Sequence, residues 1–320
     1  MKATPKRIPA TIISLAFLFC TTTINLYAQG KASGDTIQLS ANPDIYAITT
    51  EKDIACAEKI MSELLPYKDS KSTGELMVMT AKKLLGNSYV AGTLDTGDSE
   101  DVRVYLSKTD CIIFVETCLN LVLTVKEHGA QADFEKLCQK IRLSRYRGGN
   151  VRYYSDRIHY TTEWIRQGEQ RNILQDITLK AGGEVYDHPI FYMTKNYKRY
   201  KHLKEAKIED MSDTSKASKD YFAIASVEAE LNSKPYTYIP QNRIGECEKE
   251  IKNGDIIGYM STTDGLDIAH VAIAYWRNNG KLGFIHASFG EKKVVIDKKT
   301  IAEYANTSKN INGIKVIRVK

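Results

Sequence analysis

Toward the end of the chain, two apolar runs are joined by Asn278-Asn279-Gly280, and each is broken by one histidine. His270 interrupts Ile268-Ala269-His270-Val271-Ala272-Ile273-Ala274, and His286 interrupts Gly283-Phe284-Ile285-His286-Ala287-Ser288. Short runs rich in β-branched and aromatic residues, bounded by turn residues, read as strands. The connection suits a three-residue hairpin that ends on Gly in the left-handed region. With Arg277 facing Lys281, His286 lies opposite Ala272, so the histidines share a face as diagonal neighbours, roughly 7–8 Å apart. A two-residue loop at Asn279-Gly280 would put them on opposite faces unless a bulge intervened. The pairing register therefore decides whether the two imidazoles meet.

Further strand-like segments surround this hairpin: Asp255 to Ser261, Val294 to Asp297 and Ile314 to Val319, which with the hairpin predict a small antiparallel sheet. Helices are expected ahead of it. Thr50 with Asp53 and Ser72 with Glu75 resemble N-cap pairs that open two amphipathic helices. The stretch from Thr109-Asp110-Cys111 to Leu123 starts with capping residues and is then apolar nearly all round, which predicts a buried helix with Cys111 in its first turn. Another helix is expected near Ala132 to Arg142. Between about residues 145 and 245 the chain interleaves Tyr with Lys and Arg, with one helical candidate from Arg157 to Leu174 and a charged linker from Lys195 to Lys219. This segment reads as an insertion or subdomain.

The first 28 residues carry Lys2, Lys6 and Arg7 ahead of the apolar stretch Ile8 to Ile24, and end on the small residue Ala28. That order describes a secretory signal peptide. Pro9 and the polar run Thr21 to Thr23 leave it short of a membrane span. Residues 29–48 follow as an extended lead-in, and 49–320 as one catalytic domain containing the insertion. Removing the three basic residues of the signal lowers the net charge from +6 to +3, too small a bias for nucleic-acid binding. An exported chain meets oxidising conditions. Beyond Cys20 it carries Cys56, Cys111, Cys118, Cys138 and Cys247, an odd number that leaves at least one thiol free. Cys111 and Cys118 on one helix stand roughly 10 Å apart, too far to pair.

A thiol becomes a useful nucleophile when a helix N-terminus and a nearby imidazole lower its pKa. Cys111 meets the first condition by position, and the histidine hairpin offers the second. One imidazole can take the thiol proton while the other orients it. A lone strand histidine is more often structural, so the weight rests on the pair together with the cysteine. Zinc is the competing use of Cys111, His270 and His286, but no HExxH or CxxC spacing accompanies them, and neither a metal nor a cofactor is assigned.

Taken in order, Asp110-Cys111 opening a helix, Gly254-Asp255 opening a strand, His270-Val271 and Ile285-His286-Ala287-Ser288 resemble the NlpC-type superfamily of papain-like cell-wall cysteine peptidases. The Thr-Asp-Cys-x-x-Phe-Val-Glu pattern, Gly265-Leu266-Asp267-Ile268 and the segment Tyr154 to Trp164 resemble its N-acetylmuramoyl-L-alanine amidase-like branch. The resemblance spans residues 70 to 320. It implies Cys111 as nucleophile, His270 as general base and His286 as its orienting partner, with Tyr89 and the Cys111 N–H at the oxyanion. Two departures, Ala91-Gly92-Thr93 for the usual Trp-Gly-Gly and Ile112-Ile113 for the usual Ser-Gly, point away from the pocket of the common endopeptidases.

Asp110, Tyr154, Arg157, His159, Tyr160 and Trp164 are the candidate substrate-binding residues, with Tyr160 and Trp164 equally readable as core at i and i+4. The expected fold is α+β and papain-like, a cysteine helix packed on an antiparallel histidine sheet. The expected activity is hydrolysis of the N-acetylmuramoyl-L-alanine bond in muropeptides, in the periplasm or cell envelope, with no nucleic acid and no stable membrane span. A stem-peptide endopeptidase of the same mechanism and a non-catalytic wall-binding module are the alternatives.

Overall fold

The computed structural model describes residues 37–42 and 45–320. The signal segment with Cys20, and the lead-in before Ile37, lie outside the described residues. Of the lead-in, Ile37–Asn42 and Ile45–Thr49 are extended and pair antiparallel.

Four helices lie where the sequence places them, three of them on the expected capping residues. Glu51–Leu64 starts on Thr50, whose side chain accepts from the Asp53 N–H. Thr73–Lys83 starts on a full capping box between Ser72 and Glu75. Cys111–His128 is capped by Asp110, which accepts from the Ile113 N–H, and Phe134–Arg145 by Asp133. The cysteine helix is buried along nearly its whole length, so its polar residues must find partners inside. Glu116 pairs there with Arg145 of the next helix, and Asn120 donates to Ser144 at 2.8 Å.

The sheet is larger than the C-terminal pattern predicts: ten strands, of mixed direction. From one edge the path runs Lys108–Thr109, Ser88–Tyr89, Lys293–Ile296, Leu282–Ser288, Ile268–Trp276, Ile256–Ser261, Ile311–Val319, Tyr236–Pro240 and Glu184–Tyr186, with Leu174–Asp176 also on Ile311–Val319. All pairs are antiparallel except Ser88–Tyr89 with Lys108–Thr109. Strands of two or three residues cannot show a period of two, which is why they left no signal in the sequence.

Two strands of the hairpin occur as predicted, at Ile268–Trp276 and Leu282–Ser288. Arg277 N–H donates to Lys281 at 2.9 Å, and Gly280 takes φ +74, so the three-residue register holds. Alternation sorts the strands onto two cores. Val271, Ile273, Ile285 and Ala287 face the helices, while Ala272, Ala274 and Phe284 face the short helix Ile301–Thr307.

Between residues 145 and 245 the helical candidate begins later than expected, at Thr161–Gln170, because Tyr154 to Tyr160 forms a turn and extended chain. A second helix, Lys216–Asn232, stands where the sequence suggested only the end of a charged linker. Three of the ten strands, Leu174–Asp176, Glu184–Tyr186 and Tyr236–Pro240, also come from this segment.

Candidate active site

Cys111 is the first residue of its helix and is partly exposed. The backbone N–H groups of Val271 and Ile112 lie near its thiol and favour the thiolate. The ladder between the two histidine strands ends at the Ile273–Ile285 pair, so the strands separate toward His270 and His286, the region where Val271 meets the thiol. Burial, reinforced by the Asp110 carboxylate, pushes the thiol up to about 12 against the pull of those N–H groups.

The two imidazoles meet: His270 Nε2 lies 2.7 Å from His286 Nδ1. The regular ladder with the neighbouring strand sets His270 opposite Tyr259, just before a bulge at Ala269, and the rings lie near parallel with centroids 5.8 Å apart. Phe284 and Tyr304 complete an aromatic wall around the pair. Burial pulls the His270 imidazole down to about 3, His286 adds to the shift and Asp297 opposes it. The resting centre therefore holds a neutral thiol and a neutral imidazole.

Tyr89 sits in the short strand opposite Thr109, two residues before the cysteine. Its hydroxyl is pushed up to about 12 by burial, with Cys111 and Asp110 adding to the effect, so it stays protonated as a donor. Its ring meets Phe289 edge-on at 5.6 Å.

Beside the cysteine opens a cleft of about 260 Å³ whose lining includes Asp110, Tyr154, Arg157, His159 and Tyr160. Five of the six candidate binding residues thus converge, although Tyr160 and Trp164 are buried and only Tyr160 touches the cleft. Trp164 sits in the main core. Tyr160 donates to Glu228 at 2.6 Å and accepts from the Met193 N–H at 2.8 Å, which fixes the cleft wall to the helix Lys216–Asn232. The Tyr154 ring is held between His159 and His202, with centroids at 4.4 and 4.7 Å. Arg157 is buried against Asp95 and Glu100, so its charge is already balanced before any ligand enters. The His159 imidazole is held well below its ordinary value by burial and by Arg157, which leaves it neutral.

The motif Gly265-Leu266-Asp267-Ile268 joins this cleft to the histidine strand. The Gly265 carbonyl accepts from both Phe191 and Tyr192 N–H, each at 3.0 Å. Gly265 has φ +76, and a Cβ there would stand 2.8 Å from the Phe191 ring, so only glycine suits the contact. Asp267 is buried and accepts from the Thr162 N–H at 2.7 Å, capping a helix that has no side-chain cap of its own.

Sequence reasoning missed Asp297 and Tyr304, which border the histidines, and Asp95, Tyr192 and Tyr200, which line the cleft. For Asp297 a signal existed. His286 pairs with Val295, so Asp297 is its diagonal neighbour on the same face. All five cysteines in the described residues are free. No helix among those residues is long and apolar enough to cross a membrane.

Comparison with known proteins follows the same lines. Residues 79–314 match the family model described as AmiA-like, N-acetylmuramoyl-L-alanine amidase-like. Two crystal structures of an N-acetylmuramoyl-L-alanine amidase from Bacteroides uniformis share 29% and 30% identity with this chain, at TM-scores of 0.69 and 0.68. Each match covers 78% of this chain and 99% of the other. A Legionella pneumophila protein at 21% identity and TM-score 0.57, covering 84% of this chain and 95% of its own, shares the fold. No curated protein matches the chain.

Proposed function

The chain belongs to the AmiA-like, N-acetylmuramoyl-L-alanine amidase-like family, and from that premise we propose that it is a cysteine amidase cutting between the lactyl group of N-acetylmuramic acid and L-alanine in muropeptides. The carrying observation is the 2.7 Å contact between His270 and His286, with the N–H of the adjacent Val271 near the helix-start thiol of Cys111.

In this reading the sulfur of Cys111 attacks the lactyl carbonyl carbon while its proton passes to His270. The developing oxyanion takes hydrogen bonds from the Cys111 N–H and the Tyr89 hydroxyl. His270 returns the proton to the L-alanine nitrogen, the C–N bond breaks and the stem peptide leaves. Water, deprotonated by His270, then hydrolyses the thioester and frees the thiol. A wall-binding module would have no use for a contacting histidine pair. The cleft lined by Tyr154, Tyr160, Tyr192 and Tyr200 supplies apolar faces and polar edges suited to a muramyl ring, and we assign it the acyl side. The core is assigned as papain-like and NlpC-type, and residues 1–28 as a signal that exports the catalytic domain to the envelope.

The reading is tested with a muramyl tripeptide and the same tripeptide lacking its sugar, products identified by mass spectrometry. Release of intact tripeptide from the first and no cleavage of the second is expected. Cleavage inside either peptide would replace the amidase reading with a stem-peptide endopeptidase.

A further inference from the structure

His286 is buried to 1% exposure, and its Nε2 makes no well-aligned hydrogen bond. The Oδ2 of Asp297 nevertheless stands 3.2 Å from that nitrogen. An unprotonated Nε2 would set two lone pairs against each other inside the protein, whereas an Nε2–H faces its acceptor. The charge contact therefore selects one tautomer of His286, with its lone pair on Nδ1.

The carboxylate is not there by chance of a loose loop. Its other oxygen accepts from the Lys299 N–H at 2.8 Å. The guanidinium of Arg277 gathers the carbonyls of Asp297 at 2.8 Å and Lys298 at 3.0 Å, together with that of Lys299. Arg277 can lie across the hairpin because residue 283 is glycine: a Cβ there would stand 2.3 Å from its Nε. Against the upward push of partial burial, the His286 ring and the Lys299 N–H hold the Asp297 carboxyl below its ordinary value, so it is ionised at neutral pH.

We propose that Asp297 is a positioning residue that sets the tautomers of both histidines. Holding the proton of His286 on Nε2 makes Nδ1 the acceptor in the 2.7 Å contact, so His270 must donate from its own Nε2. The remaining nitrogen of His270, Nδ1, is then the free base that takes the Cys111 proton. When that transfer makes His270 a cation, the Asp297 charge stabilises it through His286. Asp297 touches no substrate in this scheme, and the proposal rests on the cysteine-amidase reading above.

The test uses Asp297→Ala and the nearly isosteric, acceptor-free Asp297→Leu in the full mature protein, with Cys111→Ala alongside. Outer partners of metal-bound histidines are commonly worth about 10–100-fold; by analogy, kcat of Asp297→Ala is expected to fall by about that factor with KM within about twofold. Nitrogen-15 NMR of labelled histidine is expected to show wild-type His286 and His270 both protonated on Nε2 and a tautomer mixture at both in Asp297→Ala, with the signals of His128, His159, His188 and His202 unmoved. If Asp297→Ala fails to fold, Asp297→Leu, which also lacks an acceptor, is read by the same two criteria. Wild-type tautomers in the variant, whether or not activity falls, would overturn the proposal. Activity persisting in Cys111→Ala would instead overturn the amidase mechanism on which it rests.

Discussion

Replacing Asp267 with alanine removes a carboxylate that ties the histidine strand to the cleft wall. Its Oδ2 takes the Thr162 N–H at 2.7 Å, and the nearby Ile268 N–H favours the charged carboxylate. Thr162 lies in the first turn of Thr161–Gln170, where no carbonyl of the helix itself is in reach. Alanine leaves that donor buried and unpaired. A lost N-cap costs about 1 kcal/mol and an unsatisfied buried donor about 1–3 kcal/mol; the two overlap, so about 2–3 kcal/mol is expected. At roughly 2–4 °C per kcal/mol for a protein of this size, Tm should drop by about 5–10 °C.

Asp267→Asn keeps an acceptor oxygen at the same place. Because burial already raises the Asp267 carboxyl above its ordinary range, a neutral amide loses the charge without losing the cap, and should lie within about 1 kcal/mol of wild type. Urea unfolding followed by tryptophan fluorescence measures both. The helix begins beside Tyr160 and the cleft, so KM of Asp267→Ala should rise more than kcat falls. An alanine variant as stable as wild type, or an asparagine variant as unstable as the alanine, would refute the capping role.

Gly254→Ala should abolish soluble folded protein: φ is +84, and the new Cβ would stand 2.1 Å from the Gly74 carbonyl oxygen, backbone against backbone. Expression and size-exclusion chromatography read this directly, and a stable monodisperse product would contradict the contact. For His270, burial lowers the folded pKa to about 3, while the unfolded value stays near the ordinary 6.5. The folded state thus binds fewer protons below pH 6.5, and stability present above that value is lost as pH falls toward 3, by at most about 1.4 kcal/mol per pH unit. His270→Gln should flatten that acid slope in urea titrations between pH 6.5 and 4, and an unchanged slope would count against a buried neutral imidazole.

Much of the site was legible because it depends on local rules. The Asn-Asn-Gly turn fixed the hairpin register, and the register put His270 and His286 on one face. Caps at Thr50, Ser72 and Asp110 marked where three helices begin. Asp297 escaped although the same diagonal rule reaches it, because the turn from Phe289 to Lys292 carries no comparably diagnostic pair and includes Lys292 at φ +56. The short strands at Ser88–Tyr89 and Lys108–Thr109 were invisible for lack of length, and with them went the mixed character of the sheet. Long-range partners such as Tyr160 with Glu228, or Asp267 with Thr162, obey no sequence period at all. They reveal themselves only when the chain is folded.

The central claim is that the Cys111 thiol does the chemistry. The direct measurement is mass spectrometry of muramyl tripeptide incubated with wild type, Cys111→Ala and Cys118→Ala, EDTA present throughout. Cys118 is fully buried in the core of the same helix, so it serves as the control cysteine. The account predicts free muramyl sugar and intact tripeptide from wild type and Cys118→Ala, and none from Cys111→Ala. The same products from Cys111→Ala would contradict it.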